Sequence, residues 1–367
     1  MFMARMAIII SMPDFEKPLK GLRVLELASV LAGPSVGFFL AELGAEVTKI
    51  ENLNTGGDIT RKWKNNSENP LSETSDYYVS VNHLKKSILL NLQHDKEYQK
   101  MVRYLSASDI VISNLSPRQE QKLKLDLKTI KRYRPNCIVV SIRGYSKYPE
   151  RAAFDNLIQA ESGWMWLNRN RASQPTKLPI ALMDIICGNH VKQAVLLALL
   201  HRLKTKKGSY IQCSLMDSAL SSLNHWGFGI LQNRIPQSMT QNQHASIAPY
   251  GGCYASKDQK LFTVAVGNDA QFKNLCVLLK CKKQLQNPLF KTNLLRIKNQ
   301  KVLNKILADC IKKFNSGYLT KSAFALNVPL GQILKPETAI AIYKDSPSIK
   351  TKDIPFISSL PFKIDYD

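Results

Sequence analysis

The sequence predicts an α/β protein, with a Rossmann-like large domain built on a parallel sheet and a smaller α+β domain. Three observations carry this expectation. Short apolar runs rich in Val and Ile alternate with stretches of helical periodicity. The first of these runs opens a strand–turn–helix–strand unit that ends in an acid, the βαβ order of a parallel sheet. Composition then shifts between Trp226 and Ala248, where Gln, Asn, Ser and His become frequent. With 367 residues, 44% hydrophobic and 22% charged, the chain has globular composition and the length for two domains.

Arg23 to Leu27 reads as the first strand, followed by a Gly33-Pro34 turn, a helix from Ser35 to Leu43 and Gly44 as its C-cap. A second strand runs from Glu46 to Ile50 and ends at Glu51. The dinucleotide fingerprint is missing, because Gly33 and Gly37 do not form G-x-G-x-x-G and Pro34 lacks a backbone donor. NAD is therefore not expected. Further strands are expected at Ser87–Leu92, Asp109–Ser113, Cys137–Ile142 and Tyr210–Ser214, with helices at Lys96–Ala107 and from Met216 to Leu223. Several strands end in polar or small residues, Glu51, Asn114 and Gly144, at the edge where open α/β sheets bind ligands. Beyond residue 226, a hairpin is expected from Cys253–Ser256 and Leu261–Val266, then lysine-rich helices to about Leu326. Val328 to Gly331 reads as the start of a return, and Pro355 to Ile364 as extended terminal strands. The resulting domains are 13–225 with 335–367, and 226–334. Met1 and Met12 both stand as candidate starts, since recognisable pattern begins near Lys17.

The net charge is +23, and eleven Lys or Arg fall between Lys280 and Lys321 against one acid, Asp309. Leu294, Ile297, Val302, Ile306 and Cys310 read as the apolar side of these helices, so the lysines form solvated faces. No RNP-type motif, zinc finger or compact basic tail accompanies them, and nucleic acid is not expected as a partner. A basic surface also suits polyanionic small molecules. Seven cysteines without a C-x-x-C pair and six dispersed histidines argue against a disulfide framework and against a metal site. No apolar run approaches the roughly 20 residues of a membrane helix, the longest being Ala194 to Leu200. A reducing cytoplasmic setting with no membrane partner is the expectation.

Asp184 stands alone between Glu161 and Asp217, in the apolar stretch Leu178 to His190. A helix is expected from Gly188 to Leu203, with Val191, Ala194, Val195, Ala198 and Leu199 on one stripe. Two readings of the acid stay open on spacing alone. It can cap the helix and favour its positive end, or it can be a desolvated nucleophile for acyl transfer.

Residues 19 to 51, with Leu-Lys-Gly-Leu-Arg-Val-Leu-Glu-Leu, Ala-Gly-Pro and Leu-Ala-Glu-Leu-Gly-Ala-Glu-Val-Thr-Lys-Ile-Glu, resemble the start of the family III CoA-transferases. Formyl-CoA and carnitine CoA-transferases belong to that family, and α-methylacyl-CoA racemase is a relative. Gly57-Asp58-Ile59-Thr60-Arg61, Asp109 to Asn114, Phe154 to Ala160, Gly208 with Tyr210 to Asp217, and Asn327 to Gly331 follow in the family's order. The resemblance covers about residues 18 to 365. It implies that Asp184 attacks an acyl-CoA thioester, passing through an aspartyl anhydride and an aspartyl-CoA thioester to a carboxylic acid acceptor. It further implies an interlocked homodimer and coenzyme A as the bound group. Val30, Leu31, Ala32, Leu90, Asn114, Leu115, Lys122 and Asp155 are expected along the CoA path, with Arg61 facing its phosphates. Backbone N–H groups near Gly251-Gly252 and Leu31-Ala32 are candidate oxyanion donors. A racemase-like isomerase and a catalytically degenerate CoA-binding protein are the alternatives. The racemase's histidine would fall at Phe154, which cannot move a proton. The chain ends at Asp367, before the family's Gly-Glu-His-Thr segment, and the acyl donor and acceptor are not named by the residues.

Overall fold

A computed structural model describes residues 17–170, 174–234, 243–351, 355–362 and 364. Both candidate starts, Met1 and Met12, lie outside them. The chain forms two compact units. The first holds residues up to Met165, Lys177–Phe228 and the residues from Asp345 on; the second holds Trp166–Thr176 and Gly229–Lys344. The return to the first unit thus comes after Lys344, later than the expected residue 335.

Six strands build the sheet of the first unit: β1 (Arg23–Leu27), β2 (Glu46–Asn52), β3 (Lys86–Leu90), β4 (Ile110–Ser113), β5 (Ile138–Arg143) and β6 (Tyr210–Ser214). Their order is β3-β2-β1-β4-β5-β6 and every pairing is parallel. The direction of winding reverses between β1 and β4, which opens a crevice at the carboxyl ends of those strands.

Among the described residues, ten α-helices fall between Ala32 and Leu231: α1 (Ala32–Glu42), α2 (Asp76–Asn82), α3 (Asp95–Ala107), α4 (Pro117–Lys122), α5 (Leu127–Tyr133), α6 (Asp155–Glu161), α7 (Trp164–Leu167), α8 (Leu182–Thr205), α9 (Leu215–Ser221) and α10 (His225–Leu231). Successive strand residues face opposite sides. Val24, Ile110, Ile112, Ile138 and Val140 pack on one side against Val36 and Leu40 of α1 and Cys187, Val191 and Val195 of α8. Leu25, Val111 and Val139 pack on the other against Met101 and Leu105 of α3 and Ile130 of α5. Strands covered on both faces need apolar residues at every position, which is why they read as continuous runs.

Two helix starts differ from expectation. Helix α1 begins at Ala32 and takes Gly33 and Pro34 into its first turn, where a proline's missing N–H has no intrahelical partner to lose. Helix α8 begins at Leu182 rather than Gly188. At that length α8 is long and apolar enough to cross a membrane by composition, which the apolar runs of the sequence do not anticipate. Its inward stripe, Met183, Cys187, Val191, Val195 and Ala198, is buried in the core.

In the second unit, β7 (Tyr250–Ala255), β8 (Leu261–Ala265) and β9 (Leu330–Gln332) form an antiparallel sheet in that order. Val328–Gly331 therefore leads into a strand of this unit before any return. Around the sheet lie α11 (Asp269–Leu278), α12 (Asn293–Lys298), α13 (Gln300–Ile311), α14 (Ser316–Ala325) and α15 (Pro336–Ile342). Phe262, Val264, Phe272, Leu275, Leu303, Leu307, Ile311 and Leu319 make the core. Of the expected apolar side, Cys310 is in the core and Ile306 packs against it, whereas Leu294 and Val302 are exposed and Leu303 and Leu307 are buried instead. Asn299 separates α12 from α13, so the two helices do not share one continuous stripe. Arg296 is buried as well, donating to the carbonyls of Ala248 and Phe290 and to Asp269. Of the terminal stretch, Phe356–Ile357 (β11) pairs antiparallel with Ile349–Lys350 (β10).

Candidate active site

Asp184 lies in the first turn of α8, buried to 7% exposure. The helix has no side-chain cap of its own, because Ala181 occupies the N-cap. The cap comes from α6 instead. Asp155 Oδ1 accepts the Met183 N–H at 2.7 Å, and Gln159 donates to Asp155 Oδ2 at 2.6 Å. The other end of the Gln159 amide accepts the Leu178 N–H at 2.8 Å. The capping role considered for Asp184 thus belongs to Asp155, whose two oxygens accept from Met183 and Gln159. The Asp184 carboxylate accepts no hydrogen bond from the described residues. Burial, and then the charge of Asp155, push its pKa up to about 7. The phenol of Tyr77 on α2 feels the same acids. Burial, then Asp184, Asp155 and Asp58, push it up to about 12, so it stays a neutral O–H.

The start of α1 is brought to this carboxylate by close helix packing. A Cβ at Gly188 would fall 2.3 Å from Ser35 Oγ and 3.2 Å from the Ala32 carbonyl, so only glycine lets α8 approach α1 this closely. The preceding loop is pinned from two sides. Asn114, at the end of β4, binds Ser29 at both its N–H (3.1 Å) and its carbonyl (2.9 Å). Asp58 receives the Val30 N–H at 3.2 Å. Behind Asp58 stand buried charges: Lys49 reaches Asp58 at 3.1 Å and Glu26 at 3.0 Å, and Lys85 reaches Glu26 at 2.8 Å. Burial alone would raise the Glu26 carboxyl, but Lys85 and Lys49 outweigh it and hold it below the usual range.

Two cavities open at the carboxyl ends of the strands. One, of about 590 Å³, is lined by Val30, Ala32, Asn114, Arg118, Phe154 and Asp184 among others. The second, of about 580 Å³, is lined by Leu27, Lys49, Glu51, Lys62, Leu90 and Leu115 among others. Ser29 and Gln119 line both, so the two adjoin. Of the residues expected along a CoA path, Val30, Ala32 and Asn114 thus border the Asp184 cavity and Leu90 and Leu115 the neighbouring one. Leu31 is the N-cap of α1 between them.

Arg61 is paired with Glu51, a lining residue of the second cavity. Its Nε and Nη2 donate to Glu51 at 2.8 Å each, and it lies over the Tyr78 ring, while its neighbour Lys62 lines the second cavity. Lys122 is the last residue of α4, one residue from the cavity-lining Leu123. Gly251 and Gly252 sit in β7 of the second unit, both with φ +81 at an irregularity in the β7–β8 register. Among the described residues, no group of three His, Cys, Asp or Glu is placed to hold a metal ion. Sequence reasoning missed Tyr77 and Arg118. Tyr77 is one of two adjacent tyrosines with no marker of its own, and Arg118 is one basic residue among 51.

The fold and site define a Rossmann-like α/β protein with a buried, unpaired carboxylate at a ligand cavity on the sheet's carboxyl edge. The sequence matches CoA-transferase family III over residues 19–352, and the chain belongs to that family. It is 33% identical over 296 residues to the human succinyl-CoA:glutarate CoA-transferase, covering 80% of this chain and 66% of the human protein. The chain thus spans a little under two thirds of that relative. It is 31% identical over 340 residues to the succinate–glutarate CoA-transferase of Agrobacterium fabrum, covering 90% and 83% of the two chains. A CaiB/BaiF family protein from Brucella suis superimposes with a TM-score of 0.82 at 30% identity, covering 96% of this chain and 93% of that one.

Proposed function

We propose that the protein is a CoA-transferase that moves CoA from an acyl-CoA donor to a carboxylic acid, with Asp184 as the nucleophile. The observation that carries this is the state of Asp184: buried, free of hydrogen bonds from the described residues, and at the mouth of α1. A carboxylate stripped of water and donors is a stronger nucleophile than a solvated one. It attacks the thioester carbonyl, forming an acyl–aspartyl anhydride and expelling CoA thiolate. The thiolate then attacks the aspartyl carbonyl, giving aspartyl-CoA thioester and the free donor acid. The acceptor carboxylate attacks that thioester, forming a new anhydride and releasing thiolate again. Attack of the thiolate on the acceptor's acyl carbon yields the new acyl-CoA and restores Asp184. Each tetrahedral oxyanion needs donors already in place. The first-turn N–H groups of α1 and the neutral Tyr77 hydroxyl suit that task.

The acceptor class we propose is a dicarboxylic acid, in line with the names of the human and Agrobacterium relatives. Arg118 supports it. Of the three arginines lining the Asp184 cavity, Arg143 is paired with Glu120 and Arg151 with Glu161. The Arg118 guanidinium has no partner among the described residues and is open to a distal carboxylate. Phe154 lines the cavity where a second base would be needed for racemisation. An interlocked homodimer is the assembly we propose, and the exposed Leu196, Leu197, Leu200 and Leu203 of α8 offer apolar surface for it.

The test is to incubate the protein with succinyl-CoA and hydroxylamine and to map the adduct by mass spectrometry. A hydroxamate at Asp184, absent in Asp184→Asn, is the expected result. Its absence in the wild type, with every acyl-CoA tried, overturns the mechanism.

A further inference from the structure

The loop that closes β1 holds a conformation that needs a cause. Val30 has φ +71, the left-handed region that a β-branched residue avoids. Nothing in the acyl transfer proposed above uses its side chain. A buried acid holds it there. The Asp58 carboxylate accepts the Val30 N–H with both oxygens, at 3.2 and 3.4 Å. Asp58 is itself immobilised. It accepts the Thr60 N–H at 3.1 Å and the Thr60 hydroxyl at 2.8 Å, donates its own N–H to Glu51 at 2.7 Å, and is paired with Lys49 at 3.1 Å. Lys49 is anchored in turn on Glu26, its register partner across β1 and β2. A chain of buried charge therefore runs from the sheet to one backbone amide.

Directly after that amide the chain enters the site. Leu31 is the N-cap of α1, and the first N–H groups of a helix have no intrahelical partner. Val30 and Ala32 line the same cavity as Asp184. A strained conformation held by its surroundings beside such a cavity is a pattern that points to pre-organisation.

We infer that Asp58 is a positioning residue for the Asp184 site: by holding Val30 left-handed, it aims the free N–H groups at the start of α1 into the cavity where the oxyanions form. This rests on the transferase reading. Asp58 borders the second cavity, but its side chain is almost wholly buried and engaged by Val30, Thr60 and Lys49, so it acts on the Asp184 site through the loop, and its loss lowers turnover more than it weakens acyl-CoA binding. Glycine enters the left-handed region without penalty, so Val30→Gly makes the clamp partly dispensable.

Three variants, compared with the wild type, test this: Asp58→Asn, Val30→Gly and the double variant. Asp58→Asn is expected to lower kcat about 10-fold or more, the scale of small misplacements at reacting groups, with KM for acyl-CoA within about 3-fold. Adding Val30→Gly to it is expected to restore kcat at least about 3-fold, the coupling of two residues acting as one device. A purely structural role would lower melting temperature and rate together and show no rescue. Unchanged kcat in Asp58→Asn, or no rescue, overturns the inference. Should Asp58→Asn fail to fold, Val30→Gly alone still decides: release of strain raises its melting temperature, and a lowered one overturns the claim. If the wild type gives no trappable adduct, the transferase reading fails on its own. The loop is then read from amide hydrogen exchange across residues 29–33, where a clamp predicts exchange about 10-fold faster or more in Asp58→Asn and unchanged rates overturn it.

Discussion

Two buried carboxylates at neighbouring cavities of one sheet have opposite surroundings. Glu51, at the end of β2, accepts two N–H groups of Arg61, the hydroxyls of Tyr78 and Ser87, and the Asp58 amide. Burial alone would raise its pKa, but these donors overcome it and bring the value down to about 2. Asp184 is buried to a similar degree and accepts no hydrogen bond from the described residues, and it stands at about 7. Burial therefore does not distinguish a structural acid from a reactive one; the donors around it do. Glu51 is a permanent anion that holds a loop together. Asp184, in the proposed mechanism, is the anion whose lack of donors leaves it free to react.

The largest effect that would sharpen this contrast is at Asp184. Asp184→Asn is expected to lower transfer by on the order of 10³-fold or more, as removal of a nucleophile does, while the melting temperature at pH 8 rises. Linkage gives the sign. The folded pKa of about 7 lies above the unfolded 3.8, so this group's contribution is fully present below about pH 4 and is lost as pH rises through 7. Each unit of that shift corresponds to about 1.4 kcal/mol. Transfer itself should climb through pH 7 as the carboxylate forms. A profile with no ionisation between pH 6 and 8, or an Asp184→Asn variant less stable than the wild type, would break the comparison.

Glu51→Gln should behave as the mirror image, costing stability first. It leaves Arg61 without its charged partner in a mostly buried setting, a loss on the order of 3 kcal/mol. Because Glu51 is lowered to about 2 from 4.5, its contribution is present above about pH 4.5 and is lost as pH falls toward 2. Thermal melts of wild type and Glu51→Gln from pH 3 to 8 measure this: the difference between them should shrink as the pH drops.

How much of this contrast is legible in the sequence depends on how local its causes are. The βαβ start is readable because a strand buried on both faces needs an unbroken apolar run, as in Ile110 to Ile112. The start of α8 is not, because its cap, Asp155, comes from another helix far upstream in the chain. For the same reason the sequence cannot decide whether Asp184 caps or reacts. The pairing of Arg61 with Glu51 at 2.8 Å is not legible either, because the two lie in separate sequence motifs. In the second unit the break at Asn299, where two helices meet without a proline or glycine to mark it, is likewise not legible.

Arg118 gives a smaller and more selective effect. As an exposed side chain with no partner among the described residues, it adds little to stability. Arg118→Ala is expected to raise KM for a dicarboxylic acceptor about 10-fold, the loss of one charge-assisted contact. KM for a monocarboxylic acceptor and the affinity for CoA should move less than about 3-fold. Steady-state kinetics with glutarate and butyrate as paired acceptors separate the cases. Equal losses for both acids, together with weaker CoA binding, would assign Arg118 to the nucleotide and leave the acceptor class without its anchor.

The smallest effect concerns the second cavity, around Glu51, and the phosphates of CoA. Lys62 lines that cavity and Lys122 ends the helix beside it. Both are exposed, so each contact is screened by salt, with a Debye length of about 8 Å at physiological ionic strength. Lys62→Ala should weaken CoA about 3- to 10-fold, and Lys122→Glu by a smaller factor because it borders the cavity without lining it. Neither should change the rate of adduct formation at saturating acyl-CoA, because neither touches Asp184. Calorimetry of CoA at roughly 50 and 300 mM salt measures both variants, with NAD as the control ligand. NAD should bind more weakly than CoA, because the first turn carries Gly33-Pro34 where a pyrophosphate needs backbone donors. Tighter binding of NAD than CoA, or a lysine variant that slows adduct formation at saturation, would mean that the two cavities do not divide binding from chemistry as Glu51 and Asp184 divide structure from reactivity.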